Sequence, residues 1–433
     1  IMNREDKILT GRNGERKGTE KTWKLPIPYP VYINEIALVF LFGQPVRWTQ
    51  SSEGTDEAFS AFCDVLKKTR FDAKIRQCKR LAGSETESAM LFRVFKDDEG
   101  NPDVQIRVLA RSKGDEIYVR RDNYENILSI GWGYYAKESE NNVVYHFDIF
   151  TKHVIYRCSK KSIGWEVIEE PNFIGKIPII LFQQDKEWAG VETLIYREEY
   201  IASRTADTND YFSDPVAVMN ADVIKNIPEK KQSGKLLIAN GKDGIDNAAK
   251  YLTWDSAPES KRQEVEWLQN QILSKSFTPN ITLDTLKSLS NLSGKALRTV
   301  MLLADIKAAR HKETYDEMLD RTANVVKAII GNVLNISLRS QIEQLEVAHA
   351  WQEPFGEDIE SDLNNIVRCI DAGIISTETA IELNPFVKDT QTEKERLLAE
   401  QEESRKRQEA IFGNMNDVGP QSATDGDEED NNE

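Results

Sequence analysis

Apolar positions along this chain recur with two different periods, and the switch between them marks its organisation. From Gly294 to Val333 the residues Leu297, Val300, Met301, Ala304, Ala308, His311, Tyr315, Met318, Leu319, Thr322, Val325, Val326, Ile329 and Val333 follow one another at steps of three and four. That spacing is one face of a single helix. No proline interrupts it, and no glycine occurs between Gly294 and Gly331. About 39 residues at ~1.5 Å each predict a rod of about 58 Å, far beyond the usual ~11–12 residues. Ser293 can cap its start and Gly331-Asn332 can loosen its end. A coiled-coil arm is the competing reading, but the stripe does not keep a strict seven-residue repeat.

The other elements fall on either side of this rod. Residues 1–24 are polar, carry Gly11, Gly14 and Gly18, and read as a flexible N-terminus. Leu25–Pro30 is a proline-punctuated lead-in to an apolar helix over Val31–Phe42, closed by Gly43 and stopped by Pro45. A second helical zone begins at Thr55, places Phe59, Phe62, Cys63 and Leu66 on one side, and resumes after a break near Phe71 as far as Leu81. From Ser88 to Phe182 the period becomes two. Ala89–Phe95 and Val104–Leu109 flank the turn Asp97–Asn101. Glu116–Arg121, Ile127–Tyr135, Val143–Asp148, His153–Cys158, Trp165–Ile168 and Ile177–Phe182 follow at hairpin spacing. These segments predict one mostly antiparallel sheet with helices on one face, an α+β body. Glu187–Phe212 returns to the helical period with an acid-rich surface. A small β-rich insert follows, with strands at Ala217–Met219, Lys235–Ala239 and Tyr251–Trp254, and then a helix over Pro258–Lys275. After the rod come a strand at Leu345–Trp351, a helix pair over Glu360–Ala372 and Ser376–Leu383, and a charged helix over Thr392–Ala410. Residues 413–433 carry seven acids and no base, a disordered acidic tail.

Composition narrows the function classes. The 433 residues allow two or three domains. With 56 Lys and Arg against 72 Asp and Glu, the formal net charge of −16 argues against an ordinary DNA-gripping domain. The four cysteines, Cys63, Cys78, Cys158 and Cys369, lie far apart without metal-ligand spacing and fit a reducing compartment. No apolar run approaches the ~20 residues of a membrane span. No signal peptide is visible, and a chain opening on Ile1 leaves its true start open.

Candidate chemistry is sparse. There is no P-loop, HExxH or GxSxG, and His146, His153, His311 and His349 stand apart from any nucleophile. Gly131-Trp-Gly133 lacks the third glycine of a dinucleotide loop. Asp243–Asp246 and Asp425–Asp427 lack the closing glutamate of a calcium loop. No catalytic residue, metal site or cofactor is therefore assigned. The carboxylates of 187–212 leave a metal-dependent nuclease as a weaker alternative, and the rod leaves a cytosolic coiled-coil scaffold as another. Lys225, Lys230, Lys231, Lys235 and Lys242 crowd the insert and suit phosphates or an acidic partner, or else an ordinary solvated hairpin. The polar stretch Phe277–Ser293 is longer than a helix–helix turn requires, which points to a functional loop.

The order of these elements, together with Phe42-Gly43-Gln44-Pro45-Val46, Ile174–Ile180, Asn291–Leu297, Gly373–Thr379, Asn384-Pro385 and Asp389, resembles the portal proteins of tailed bacteriophages, in the Gp6-like family. The resemblance covers about residues 25–405. It implies a portal-type α+β fold: an α/β wing (25–186), a helical stem (187–212 and 258–275), a small β-rich clip (213–257), a tunnel loop (276–293), a very long connecting helix (294–334) and a helical C-terminal crown within 335–412. It further implies a ring of about twelve copies at one capsid vertex. That ring passes double-stranded DNA inward during packaging and outward during ejection. Its partners would be the large terminase subunit, the major capsid and scaffolding proteins and the head–tail connector, with no membrane contact. Assembly would take place in the bacterial cytoplasm and the product would reside in the virion. On this reading Asn280, Thr282, Asp284, Thr285, Lys287 and Ser288 sit at the tunnel-loop tip. Glu198, Arg204 and Asp207 line the stem's channel face, and the five insert lysines meet the terminase, the connector or DNA.

Overall fold

In the computed structural model the apolar run after Pro28 is helix α1 (Tyr29–Phe42). It begins two residues earlier than its apolar pattern because Pro30 falls in the first turn, where a missing N–H costs no hydrogen bond. The structure describes residues 4–10, 15–139, 142–213, 216–220, 235–239, 250–251, 258–281, 294–352, 359–384, 386–387 and 390–415. Two units emerge, residues 1–354 and 355–433, and each is described by itself.

In the first unit, α2 (Asp56–Lys68) and α3 (Phe71–Glu85) are separated by Arg70, whose φ of 54° breaks the helical path. The alternating segment forms two sheets where one was expected. Strands β4 (Glu87–Lys96), β5 (Pro102–Leu109) and β11 (Ile179–Gln183) make a three-stranded sheet in the order β11-β4-β5. Strands β6 (Glu116–Arg121), β7 (Ile127–Ser139), β8 (Asn142–Phe150), β9 (Val154–Lys160) and β10 (Trp165–Pro171) make a five-stranded antiparallel meander. The division follows from β11, which returns across the sequence to pair with β4, Ile179 opposite Leu91, instead of extending the meander.

Alternation on β4 then supplies two cores. Met90 and Phe92 join Val104, Ile106, Val108, Ile180 and Phe182 against the helices. Ala89 and Leu91 join Leu109, Ile179 and Leu181 against Ile130, Trp132 and Phe150 of the five-stranded sheet. Helices, small sheet and large sheet thus form three layers, with the small sheet buried on both faces.

The long helix is α6 (Gly294–Ile329), about 54 Å at ~1.5 Å per residue. A π-helical turn, Ile330–Leu334, continues it to the boundary read from the sequence. Met301, Ala304, Ala308, Tyr315, Leu319, Val325, Val326 and Ile329 are buried as the stripe requires. From Tyr315 onward this face packs into the helix–sheet core of its own chain, unlike a free coiled-coil arm. The chain then turns through Ile336–Leu338 and α7 (Arg339–Gln344) into β15 (Val347–Ala350). This strand pairs with β3 (Arg47–Gln50), which the sequence pattern did not announce. Trp48 on β3 closes the joint, lying 5.4 Å from Phe62 and 6.1 Å from Phe71 by ring centroids.

The N-terminal stretch, read as flexible, contains a hairpin of β1 (Lys7–Thr10) and β2 (Arg16–Glu20). Helix α4 spans Glu192–Ser213, so its first five expected residues, 187–191, belong to the turn before it. Helix α5 spans Pro258–Lys275. Between them β12 (Val216–Asn220), β13 (Lys235–Ala239) and β14 (Lys250–Tyr251) form a small sheet in the order β13-β12-β14, with β12 and β13 parallel.

The second unit holds α8 (Ile359–Asp371), α9 (Thr377–Leu383) and α10 (Thr390–Met415). Gly373, at φ 66°, ends α8, and the Ser376 hydroxyl caps α9 by accepting from Thr379 N–H at 3.2 Å. Lys394 ties α10 to Glu378 and Glu382 of α9 at 2.7 and 3.0 Å. Helix α10 runs through Met415, so residues 413–415 are helical and not part of a tail.

Phe62 is fully buried at the joint of α2 and β3. Phe62→Ala is expected to destabilise the chain by about 3–5 kcal/mol, measured by chemical denaturation against the parent.

Candidate functional site: the helix pair, the loop foot and a buried charge node

Val191 in the turn before α4, Ile195 of α4 and Ile272 of α5 pack together onto Ile33 of α1. Glu198 projects into this contact and is buried, although the sequence placed it on an exposed channel face. It accepts from the Tyr29 hydroxyl at 3.2 Å and from the Gln269 amide at 3.0 Å. Burial, then the Glu198 charge, pushes the Tyr29 hydroxyl far above the ordinary phenol value, so this phenol stays a donor. The period-3.6 pattern fixed the spacing of Glu198 but not which flank faces α5.

Arg204 is exposed and donates to the Tyr200 hydroxyl at 3.0 Å. Asp207 is half-buried beneath the N-terminal segment, accepting from Trp23 N–H at 2.8 Å and pairing with Arg4. The same segment continues along α4: Trp23 Nε1 donates to Asp210 at 2.6 Å, Leu25 N–H to the Ser203 hydroxyl and Ile27 N–H to Glu199, each of these two at 3.0 Å. Pro26, Pro28 and Pro30, which favour extended backbone before them, were the one sequence signal for such a strap.

After α5 the chain enters the polar loop on a fixed foot. Phe277 has φ 53°, Ser276 and Thr278 are buried, and Asn280 is exposed. A single phenol holds this foot: the Tyr32 hydroxyl donates to Pro279 O at 2.7 Å and accepts from Ile281 N–H at 2.9 Å. Thr282, Asp284, Thr285, Lys287 and Ser288 lie outside the described residues, as do Lys225, Lys230, Lys231 and Lys242. Lys235 opens β13 opposite Val216.

The sequence placed Glu187 on the acidic surface of a helix, but it lies in the turn before α4 and is buried with every partner a carboxylate can use. Lys79 of α3, itself fully buried, forms an ion pair with it. Lys307 of α6 lies 3.0 Å from Oε2, His311 lies 3.1 Å away, and the Gln184 amide donates at 2.6 Å. Lys307 also donates to the Glu187 carbonyl at 2.9 Å and the Ser276 carbonyl at 3.1 Å. Tyr315 donates to Gln184 at 2.8 Å. Burial alone would raise the Glu187 carboxyl. The His311 hydrogen bond and the two ammonium charges outweigh it and hold the group well below the ordinary carboxylate range. Burial lowers His311, so its imidazole is neutral at neutral pH and donates one N–H. This node joins α3, the entry to α4, the exit of α5 and the long helix.

Among the described residues, no group of three or more His, Cys, Asp or Glu is arranged to hold a metal ion. Also among them, no helix is long and apolar enough to cross a membrane.

The family model for phage portal proteins of the SPP1 Gp6-like type matches residues 1–407. The chain belongs to this family. The portal protein of Bacillus phage SPP1 is 22% identical over 420 residues, covering 87% of this chain and 75% of that protein. Portal proteins are structural components of the phage head–tail connector, and membership implies a homo-oligomeric ring in the phage capsid with DNA. The helix pair, the loop foot and the node are therefore parts of a portal-family subunit.

Removing the Glu187 charge would strand Lys79 in the interior. Glu187→Gln is expected to cost about 3–5 kcal/mol. Folding depresses both Glu187 and His311, so the unfolded chain takes up their protons first. Stability contributed above the ordinary values is then lost on acidification, from about pH 6.5 for His311 and more steeply below about 4.5 for Glu187. Melting temperature against pH should show this decline in the parent and a shallower one below pH 4.5 in Glu187→Gln.

Proposed function

We propose that this chain is the repeating subunit of a portal ring at a capsid vertex and that double-stranded DNA passes through the ring's centre during packaging and ejection. In this reading residues 25–186 form the wing, α4 and α5 the stem, 213–257 the clip and 276–293 the tunnel loop. The long helix joins stem, wing and crown, and the helices after about 358 form the crown. The observation that carries it is the family match over residues 1–407, nearly the whole chain. The fold is consistent with it in one specific respect: the polar loop departs from a foot fixed to α1 through Tyr32 and to α6 through Lys307.

The acidity of the chain suits a conduit. Each Lys or Arg contact to a phosphate releases a counterion and tightens binding, so a basic wall would grip the duplex. A chain of net charge −16 repels phosphates and lets a duplex slide. Of the three stem residues, Glu198 is turned inward and Arg204 stays exposed, and Arg204 is proposed to face the lumen. Asn280 and the loop beyond it are proposed to approach DNA. The insert lysines are proposed to meet the terminase or the connector. The ring is proposed to assemble in the bacterial cytoplasm with capsid and scaffolding proteins.

Negative-stain images of purified protein are expected to show rings with a central hole, and a compact monomer or dimer at all concentrations would refute the assignment. Deleting 283–289 should leave rings intact while nuclease-protected DNA per capsid falls to near background in a portal-null phage complemented with the variant. Tyr32→Phe, which removes the donor to Pro279, should lower packaging by less and leave assembly unchanged.

A further inference from the structure

The five-stranded sheet has two open edges. Strands β6 and β10 lie at its ends, and among the described residues neither carries a strand on its outer side. Edge strands normally carry charges or prolines that limit further pairing; β10 has Glu166, Glu169, Glu170 and Pro171 and β6 has Arg120 and Arg121, so only a neighbour of opposite charge suits either edge. Here β10 is exposed along all seven residues, with Trp165, Val167 and Ile168 each about half exposed, and Tyr118 on β6 is equally open.

The two edges match each other. Every neighbouring pair in the sheet is antiparallel, so β6 and β10, four steps apart, run in the same direction. Reading across the register, Glu169 pairs with Tyr156, Tyr156 with Ile149, Ile149 with Gly131 and Gly131 with Tyr118. Glu169, Val167, Tyr118 and Arg120 therefore share the outer face. Laid side by side and parallel, Val167-Ile168-Glu169-Glu170 meets Tyr118-Val119-Arg120-Arg121. Apolar residues face apolar ones, and acids face bases. Glu170 and Arg121 already hold Arg157 and Gln183. Arg120 and Glu169 have no ionic or hydrogen-bonded side-chain partner among the described residues.

We propose that β10 of one subunit pairs in parallel with β6 of the next, joining their five-stranded sheets, with Glu169 beside Arg120 of the neighbouring copy. The proposal rests on the ring reading above. It requires a head-to-tail contact, the type that closes into rings. A second copy is the occupant because β6 offers bases where β10 offers acids, so each edge supplies the charge the other lacks.

The test is a cysteine pair. Within one chain Arg120 and Glu169 are about four strand spacings apart, roughly 19 Å, beyond the ~7 Å reach of a disulfide. In the full chain, Arg120→Cys with Glu169→Cys should give a ladder of covalent multimers under mild oxidation, reversed by reductant. Each single variant should give none above the parent. Independently, Arg120→Glu or Glu169→Arg alone should reduce ring yield in negative stain, and the two together should restore it. Rings from the paired-cysteine variant without a ladder, or rings indifferent to both charge reversals, would overturn this contact and leave the ring reading intact. A parent that forms no rings would overturn the ring reading and this contact with it.

Discussion

One buried carboxylate organises the larger unit. Glu187 lies where the sheet strand β11 gives way to α4, and its oxygens draw Lys79 from α3 and Lys307 and His311 from α6 into a single place. A buried ion pair of this kind adds little net stability relative to well-packed apolar side chains, because desolvation offsets the Coulomb attraction. What it imposes is geometry. Any arrangement that moves α6 along α3, or withdraws the entry of α4, leaves an unneutralised charge in the interior. The small residue beside it serves the same end: a Cβ on Gly83 would lie 2.2 Å from Asn34 Oδ1 and 2.9 Å from Glu187 Cγ, so only glycine lets α3 approach this closely.

The node also explains how a polar loop can be held at one end with few contacts. Lys307 bonds the carbonyl of Ser276 at the exit of α5 as well as Glu187. Three residues on, the phenol of Tyr32 takes up both a carbonyl and an N–H of the chain leaving that helix. The long helix and α1 thus share the loop's foot. Lys307 of α6 bears on this foot through an ammonium hydrogen bond to the Ser276 carbonyl.

Local periodicity carried much of the fold. The α6 stripe placed Met301, Ala304, Ala308, Tyr315 and Leu319 on the buried face, and period-two alternation located β4 to β11 within a few residues. It failed where a partner lies far away in sequence. Nothing near residues 47–50 announces that they will pair with 347–350. Nothing in residues 22–27 states that their N–H groups will meet Asp207, Ser203 and Glu199. The candidate site was less legible. Arg204 stayed exposed as read, while Asp207 lies under the N-terminal strap and Glu198 faces α5. Glu187, taken for one more solvated acid, is buried among Lys79, Lys307 and His311.

By itself, then, the sequence determined most of the helices and strands, the length of the rod, the net acidity of the chain and, through the order of its elements, the family. Those properties are set by spacing and composition, which a linear chain displays directly. Only the tertiary structure decided that the strands divide into two sheets, that the N-terminal segment lies along α4, and which acids are buried. A charged side chain can be interior only where its counter-charges arrive from other elements. Lys79, Glu187 and Lys307 come from places more than a hundred residues apart, so their meeting is a property of the fold and of no local pattern.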